Sequence, residues 1–430
     1  MKAPPYSLGY TRYVLGMLVV VCVFNFVDRQ ILAILAPSIR EDLGLSDTQI
    51  GALSGVAFGI FYATLGIPIA RLADRYSRVN IISICLGIWS LMTALSGFAQ
   101  NFLHLLIARI GVGIGEAGGS PPSHSLIADY FAPERRATAI GIYALGIPIG
   151  SLLGNFAGGW IDEFFGWRNA FFVVGVPGII LAVILKLTVS EPPRGYSESR
   201  PPPVKHVAFA DVIRIMWGFR SFRFIALGTG AQAFVGYGFV AWMPSFLVRA
   251  HDMSIGEVGT ALGLIIGLFG GAGILLSGVI GDKLGARDVR WYMLVPAWAF
   301  LAVVPTGTAV FLADDLWMVL VIYTLPAFLV NLNIGPTFAM AQALAPLAMR
   351  AAASALLLFI ISMIGLVFGP TTVGILSDIL QTTWQMNDIE SLRWSLLLCN
   401  FVYLVSFYFY FRASRTLEGD LGAGADKANA

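Results

Sequence analysis

Charge is scarce in this 430-residue chain: aspartate, glutamate, lysine and arginine make up 12% of it, against 57% hydrophobic residues. A soluble globular domain carries about 25% charged residues, so a soluble protein is excluded and a polytopic membrane protein remains. Cysteine is nearly absent. Cys22, Cys85 and Cys399 sit in separate apolar stretches without paired or metal-type spacing, which assigns them to packing and implies no disulfide. The histidines, His104, His124, His206 and His251, include no pair at ligand spacing, so neither a metal nor a haem is expected. No nucleotide-binding loop and no nucleophile beside a base occurs, which leaves a membrane-embedded lipid-modifying enzyme without its chemistry. Nothing calls for a nucleic-acid partner. A signal-peptide layout is missing too: the first apolar run is too long, holds Asp28 and Arg29, and has no small-residue cleavage site. The first helix is expected to stay in the mature protein.

What the chain has in quantity is apolar runs of spanning length. They fall near 13–36, 50–70, 79–99, 103–127, 138–160, 168–189, 222–248, 258–280, 291–312, 316–340, 351–376 and 394–412. The fold class is therefore an all-α membrane protein with twelve transmembrane helices. With both termini in the cytoplasm, the inner loops collect Arg71, Arg75, Arg78, Arg135, Arg136, Lys283, Arg287, Arg290, Arg350, Arg412 and Arg415, whereas the outer loops hold Arg40, Arg168, Arg249 and Arg393. That asymmetry fixes the orientation in an inner, or plasma, membrane.

Between the sixth and seventh runs the texture changes. Residues 190–205 are polar and proline-rich, as a linker should be, and 209–219 alternates apolar and basic residues at helical spacing along a membrane surface. The chain thus divides into a six-helix bundle over 1–189, a linker with an interfacial helix over 190–221, a second bundle over 222–412 and a disordered tail over 413–430, small and polar from Gly419. The halves echo one another. Asp74-Arg75 and Arg78 after the second run recur as Asp282-Lys283 and Arg287 after the eighth; Ala132-Pro133 with Arg136 recurs as Ala345-Pro346 with Arg350. Tandem six-helix repeats place a substrate cavity at their interface, and rocking of the halves gives alternating access.

The charges that helix formation does not explain lie inside the runs. Asp28 and Arg29 interrupt the first and Glu116 the fourth, where a charge costs at least roughly 2.5 kcal/mol. Arg109 stands seven positions before Glu116, on the same helix face. Asp28 lies roughly 12 Å below the outer end of its helix, and Arg109 and Glu116 roughly 9 and 20 Å below the same surface, so Asp28 is expected to meet Arg109 and Arg29 to meet Glu116. These four are either a network that fixes two helices or a working centre. Buried ion pairs rarely improve stability over apolar packing, which favours the working centre. Asp28 and Glu116 are the candidates for proton coupling, and Arg29, Arg109 and Glu116 for substrate binding.

The loop Asp74-Arg75-Tyr76-Ser77-Arg78, its weaker copy after the eighth helix, and Arg109-x-x-x-Gly113-x-Gly115 resemble the major facilitator superfamily over essentially the whole chain. Within it, Asn25-Phe26-Val27-Asp28-Arg29 and Gly115-Glu116-Ala117-Gly118-Gly119-Ser120-Pro121-Pro122 are similar to the Spinster subfamily, whose animal members export sphingosine phosphate or lysophospholipids. The loop motif departs from the family's pattern at Ala70 and Ser77, which stand where glycine is usual. Helix five, with Gly141, Gly146, Pro148, Gly150 and Gly154, lacks the glycine-proline pair of the antiporter signature.

The loop residues Asp74, Arg75, Arg78, Arg136, Asp282 and Lys283 are read as a cytoplasmic gate, with Asp74 pairing to Arg135 or Arg136; a solvated, topology-setting charge accounts equally for Arg78. In the second half the polar groups are Gln232, Tyr237, Asn331, Asn333 and Ser362 among apolar neighbours, the first four being substrate-binding candidates. A cavity charged on one side and apolar on the other suits an amphiphile. The expectation is a monomeric, proton-coupled secondary transporter whose partners are protons, membrane lipids and a small amphiphilic substrate. It needs no cofactor beyond the proton gradient. The lipid class comes from the resemblance; a polar metabolite, sugar or drug is the alternative.

Overall fold

In a bilayer every backbone N–H and C=O must find its partner inside the segment, so apolar runs of this length fold as helices. A computed structural model of the chain describes residues 6–73, 75–196, 209–346 and 349–429. Among them twelve helices are long and apolar enough to cross a membrane: α1 (Leu8–Leu43), α2 (Asp47–Ala73), α3 (Arg78–Ser96), α4 (Phe102–Tyr130), α5 (Glu134–Phe165), α6 (Trp167–Thr188), α7 (Arg220–His251), α8 (Ile255–Gly285), α9 (Trp291–Leu312), α10 (Leu316–Leu344), α11 (Arg350–Trp384) and α12 (Asp388–Gly422). Each expected run corresponds to one of them, ten falling wholly inside; 79–99 overruns α3 by three residues and 168–189 overruns α6 by one. The protein is an integral, multi-pass membrane protein.

The chain separates into two compact units. The first comprises Met1–Leu45, Ala57–Val204 and Ser254–Gly263, and the second Ser46–Val56, Lys205–Met253 and Leu264–Ala430. Thus the first turns of α2 belong to the second unit, and the first turns of α8 to the first. Both starts are built alike. Ser46 accepts the Gln49 N–H while Gln49 accepts the Ser46 N–H, and Ser254 and Glu257 exchange the same two bonds.

Within the first unit, α1 and α5 meet along glycines four apart. A Cβ on Gly146 would strike Cys22, one on Gly150 the Val23 carbonyl, one on Gly154 Val27 and Gln30, and one on Gly158 Ile34. Several helices are broken in midcourse. α2 turns at Gly55, α4 unwinds over 117–119 before restarting with Pro121 and Pro122 in its first turn, and α10 tightens to a 3₁₀ turn at Val330–Asn333. α8 and α11 each widen to a π turn, at Ile265–Gly270 and Ser362–Val367.

A short helix, Phe209–Gly218, precedes α7. The last helix continues to Asn429, where composition predicts disorder from Gly419. Leu417 is fully buried, and the Asp420 carboxylate accepts the Ser221 N–H at 2.6 Å at the start of α7, so the tail's first turns are anchored. The alanine-rich sequence beyond contains no proline and a helix runs on through it.

Candidate functional site

The glycine ladder of α5 takes the Cys22, Val23, Phe26, Val27 and Gln30 side of α1, which turns Asn25 and Asp28 away from α5 and leaves Arg29 at the flank of that face. Helix α4 approaches closely because Gly113 and Gly115 carry no side chain: a Cβ there would lie 2.5 Å from the Phe58 carbonyl oxygen and 2.7 Å from the Trp89 nitrogen, respectively. Its first segment ends at Glu116. The expected pair forms: Arg29 Nε donates to Glu116 Oε2 at 2.8 Å, with the glutamate side chain fully buried. The Arg29 guanidinium also lies 4.4 Å from the Tyr62 ring centre, 5.1 Å from Phe26 and 5.4 Å from Phe58. A charge held by a buried carboxylate and aromatic faces has little water to compensate their loss.

The second expected pair does not form. Arg109 makes no salt bridge to Asp28; its guanidinium lies 5.2 Å from the Phe58 ring centre, on the ring that Arg29 also approaches. Among the described residues, both Asp28 carboxylate oxygens and the Arg109 Nε and Nη1 lack a hydrogen-bond partner, although both residues are buried. Asp28 remains within electrostatic reach of Glu116 and Arg109, beside Thr93 and Trp89 of α3. A buried carboxylate with no ion pair, faced by only the Thr93 hydroxyl and the Trp89 indole, is an expensive group, and stability gives no reason for its presence.

The loop residues separate. Asp74 lies outside the described residues, and with it the expected pairing to Arg135 or Arg136. Arg75 is exposed. Arg78 is not a solvated charge: it is buried, bonding to Asp129, to Glu191 at 2.7 Å, to the Ser125 hydroxyl at 2.9 Å and to the Pro192 carbonyl at 3.1 Å. It ties the start of the linker to α3 and α4 within one unit. Arg136 donates to the Ala128 carbonyl at 2.9 Å, Asp282 accepts the Tyr292 hydroxyl at 2.9 Å, and Lys283 is exposed.

The second unit brings Gln232, Tyr237, Asn331 and Asn333 to one cavity of about 340 Å³, shared with Thr229, Thr337 and mostly apolar side chains. Among the described residues no charged side chain lines it. Asn333 Nδ2 donates to Gln232 Oε1 at 3.3 Å and faces the Tyr410 hydroxyl at 3.5 Å; that hydroxyl bonds to Thr337 at 2.5 Å and to Thr229. Asn331 turns its amide back to the Ala327 carbonyl at 2.8 Å, so it serves its own helix. Ser362 lies within the α11 π turn.

One cluster escaped the sequence reading, which placed Arg249 in an outer loop as a charge that sets topology. Arg249 lies in the last turn of α7, its side chain only 9% exposed, and donates to both oxygens of buried Asp47 at 2.7 and 2.9 Å and to Asp388 at 3.3 Å. Ser377 also donates to Asp47, at 2.6 Å, while Asp378 accepts the N–H groups of Asp47 and Thr48 that open α2. In the first unit Glu163 does the same for α8, accepting the Gly256 N–H and the Ser254 hydroxyl, each at 2.8 Å. A carboxylate at a helix N-terminus meets the positive end of its dipole. The sequence signal was there: Leu45-Ser46-x-x-Gln49-Ile50-Gly51 and Met253-Ser254-x-x-Glu257-Val258-Gly259 are a third echo between the halves.

Comparison with known proteins agrees with this architecture. The profile of the Major Facilitator Superfamily matches residues 18–370. An MFS-type efflux pump of Mycolicibacterium smegmatis is 35% identical over 369 residues, covering 84% of this chain and 83% of its own. Protein spinster homolog 1 of Homo sapiens is 30% identical over 430 aligned residues, 92% of this chain and 79% of that protein. A crystal structure of a bacterial homolog to the human lysosomal transporter Spinster, inward-facing and unoccupied, superposes with a TM-score of 0.89 at 33% identity, covering 96% of this chain and 99% of that one. This chain belongs to the major facilitator superfamily of transporters and, within it, is Spinster-like.

Proposed function

We propose that the protein is a proton-coupled secondary transporter of an amphiphilic, lysolipid-like substrate, working as a monomer by alternating access in the inner membrane with both termini cytoplasmic. The observation that carries the reading is the Arg29–Glu116 pair, sealed by aromatic rings and set beside an unbonded Asp28. A proton arriving at Asp28 or Glu116 cancels a negative charge that holds Arg29, and the freed guanidinium takes an anionic head group or lets the helices shift. Loss of the proton on the other side restores the pair. Arg109, held on Phe58, keeps a positive charge next to both carboxylates throughout.

The apolar chain of the substrate is assigned to the second unit's cavity, with Gln232, Tyr237 and Asn333 as its polar points. Asp74, Arg75, Arg136, Asp282 and Lys283 are assigned to a cytoplasmic gate that Arg78 braces from inside its unit. No step calls for bond-making chemistry, which supports a carrier over an enzyme. The name of the M. smegmatis relative supports a second reading, export of a drug or polar metabolite.

The test is uptake of labelled lysophospholipid or sphingosine phosphate into proteoliposomes with and without a pH gradient. Gradient-sensitive flux is expected in the wild type and is lost in Arg29→Ala and Glu116→Gln. Gradient-driven flux that persists in Glu116→Gln overturns the coupling site, and a well-folded wild type that moves drugs but no lipid turns the reading to export.

A further inference from the structure

The cavity of the second unit holds an amide whose bonding is incomplete. Asn333 is 3% exposed and lines the cavity. One end of its amide faces Gln232 and Tyr410, while the other, Oδ1, is buried with no partner among the described residues. Rotating the amide by half a turn exchanges oxygen and nitrogen, yet the same position stays unfilled. The Tyr410 hydroxyl cannot fill it, being taken up by Thr229 and Thr337. Beyond the cluster the walls are apolar, with Phe239, Val240, Ile266 and Ile334 among them.

A buried amide end without a partner beside an otherwise apolar pocket becomes, once the Asn333 amide turns to face the cavity, a place where a ligand group completes the bonding. The group must be neutral, because no lining side chain carries a charge to balance an ion in this low-dielectric space. A hydroxyl fits best, since it both donates and accepts and so serves either orientation of the amide. We infer that the second unit's cavity is selective for an apolar chain bearing a neutral hydroxyl, with Asn333, steadied by Gln232, as the residue that reads it. The inference rests on the amphiphile reading above and adds a selectivity to it. A site built to hydrogen-bond a hydroxyl discriminates against the chain lacking it, because the polar group is otherwise left unpaired.

The experiment is equilibrium binding to the full-length protein in nanodiscs, followed by competition against one fluorescent lysolipid. The competitors are lysophosphatidylethanolamines with a stearoyl chain and with stearoyl chains hydroxylated at carbon 10 or 12. In the wild type at least one hydroxylated chain is expected to bind about fivefold tighter than the plain one. In Asn333→Leu that preference falls to within twofold, whatever the affinity for the plain chain. Equal binding of all chains by the wild type overturns the inference and leaves the amphiphile reading standing; this comparison needs no variant. A preference that survives Asn333→Leu also overturns it. Failure of every chain to bind overturns both.

Discussion

The two units solve the problem of burying polarity in opposite ways. The first gathers Asp28, Arg29, Arg109 and Glu116 with one direct salt bridge between them, and leaves Asp28 unbonded. The second joins Gln232, Asn333, Thr229, Thr337 and Tyr410 in a neutral chain of hydrogen bonds around a cavity. A neutral network responds weakly to protons and strongly to shape. A charged one does the reverse, because each proton changes the balance of the whole set. In the function proposed above, the difference would give energy coupling to the first unit and substrate fit to the second.

The contrast can be broken most forcefully at Glu116. In Glu116→Ala the Arg29 charge loses its carboxylate, and a loss of about 3–5 kcal/mol is expected, read as a lower unfolding midpoint in detergent. Stability within about 1 kcal/mol of wild type would mean that the pair is solvated and the first unit no different from an exposed surface. Next comes Arg78→Ala, which strands Asp129 and Glu191 and is expected to cost about 3 kcal/mol, whereas Arg75→Ala, on an exposed neighbour, should leave the midpoint unchanged. In the second unit, Tyr410→Phe removes the hydroxyl shared by Thr229 and Thr337 and should cost only about 1–2 kcal/mol. Among the buried positions the smallest effect on stability belongs to Asp28→Asn: the carboxylate has no ion pair to lose and the amide can still accept from Thr93 or Trp89, so the midpoint holds or rises by under about 1 kcal/mol while pH-gradient-driven flux falls. A large destabilisation in Asp28→Asn would return the residue to the structural network.

The twelve spans and the Arg29–Glu116 pair were legible in the sequence, because length, hydropathy and a lone charge in an apolar run are local signals. The missing Asp28–Arg109 contact was not. Depth along two helices places both residues at similar heights, but which ring the guanidinium prefers depends on Phe58, brought in from α2 by a close approach at Gly113. The Asp47–Arg249 cluster was hidden for a different reason. Its members stand at helix ends, where charges are ordinary, and only folding shows that water has been excluded from them. Arg78 was ambiguous in the same way, since Asp129 and Glu191 are distant in sequence and each is unremarkable alone.

The contact between α1 and α5 has a mechanical meaning. Where the glycines of one helix take the carbonyls and the first side-chain carbons of the other, only a thin layer is left between them that could slide or repack. They behave as one stiff plank with Arg29 fixed at its edge. Relative displacement across the 2.8 Å bond to Glu116 then falls to α4, which is already unwound immediately after that residue. A single proton would thus work at the loose end of a lever whose other arm is a pair of helices.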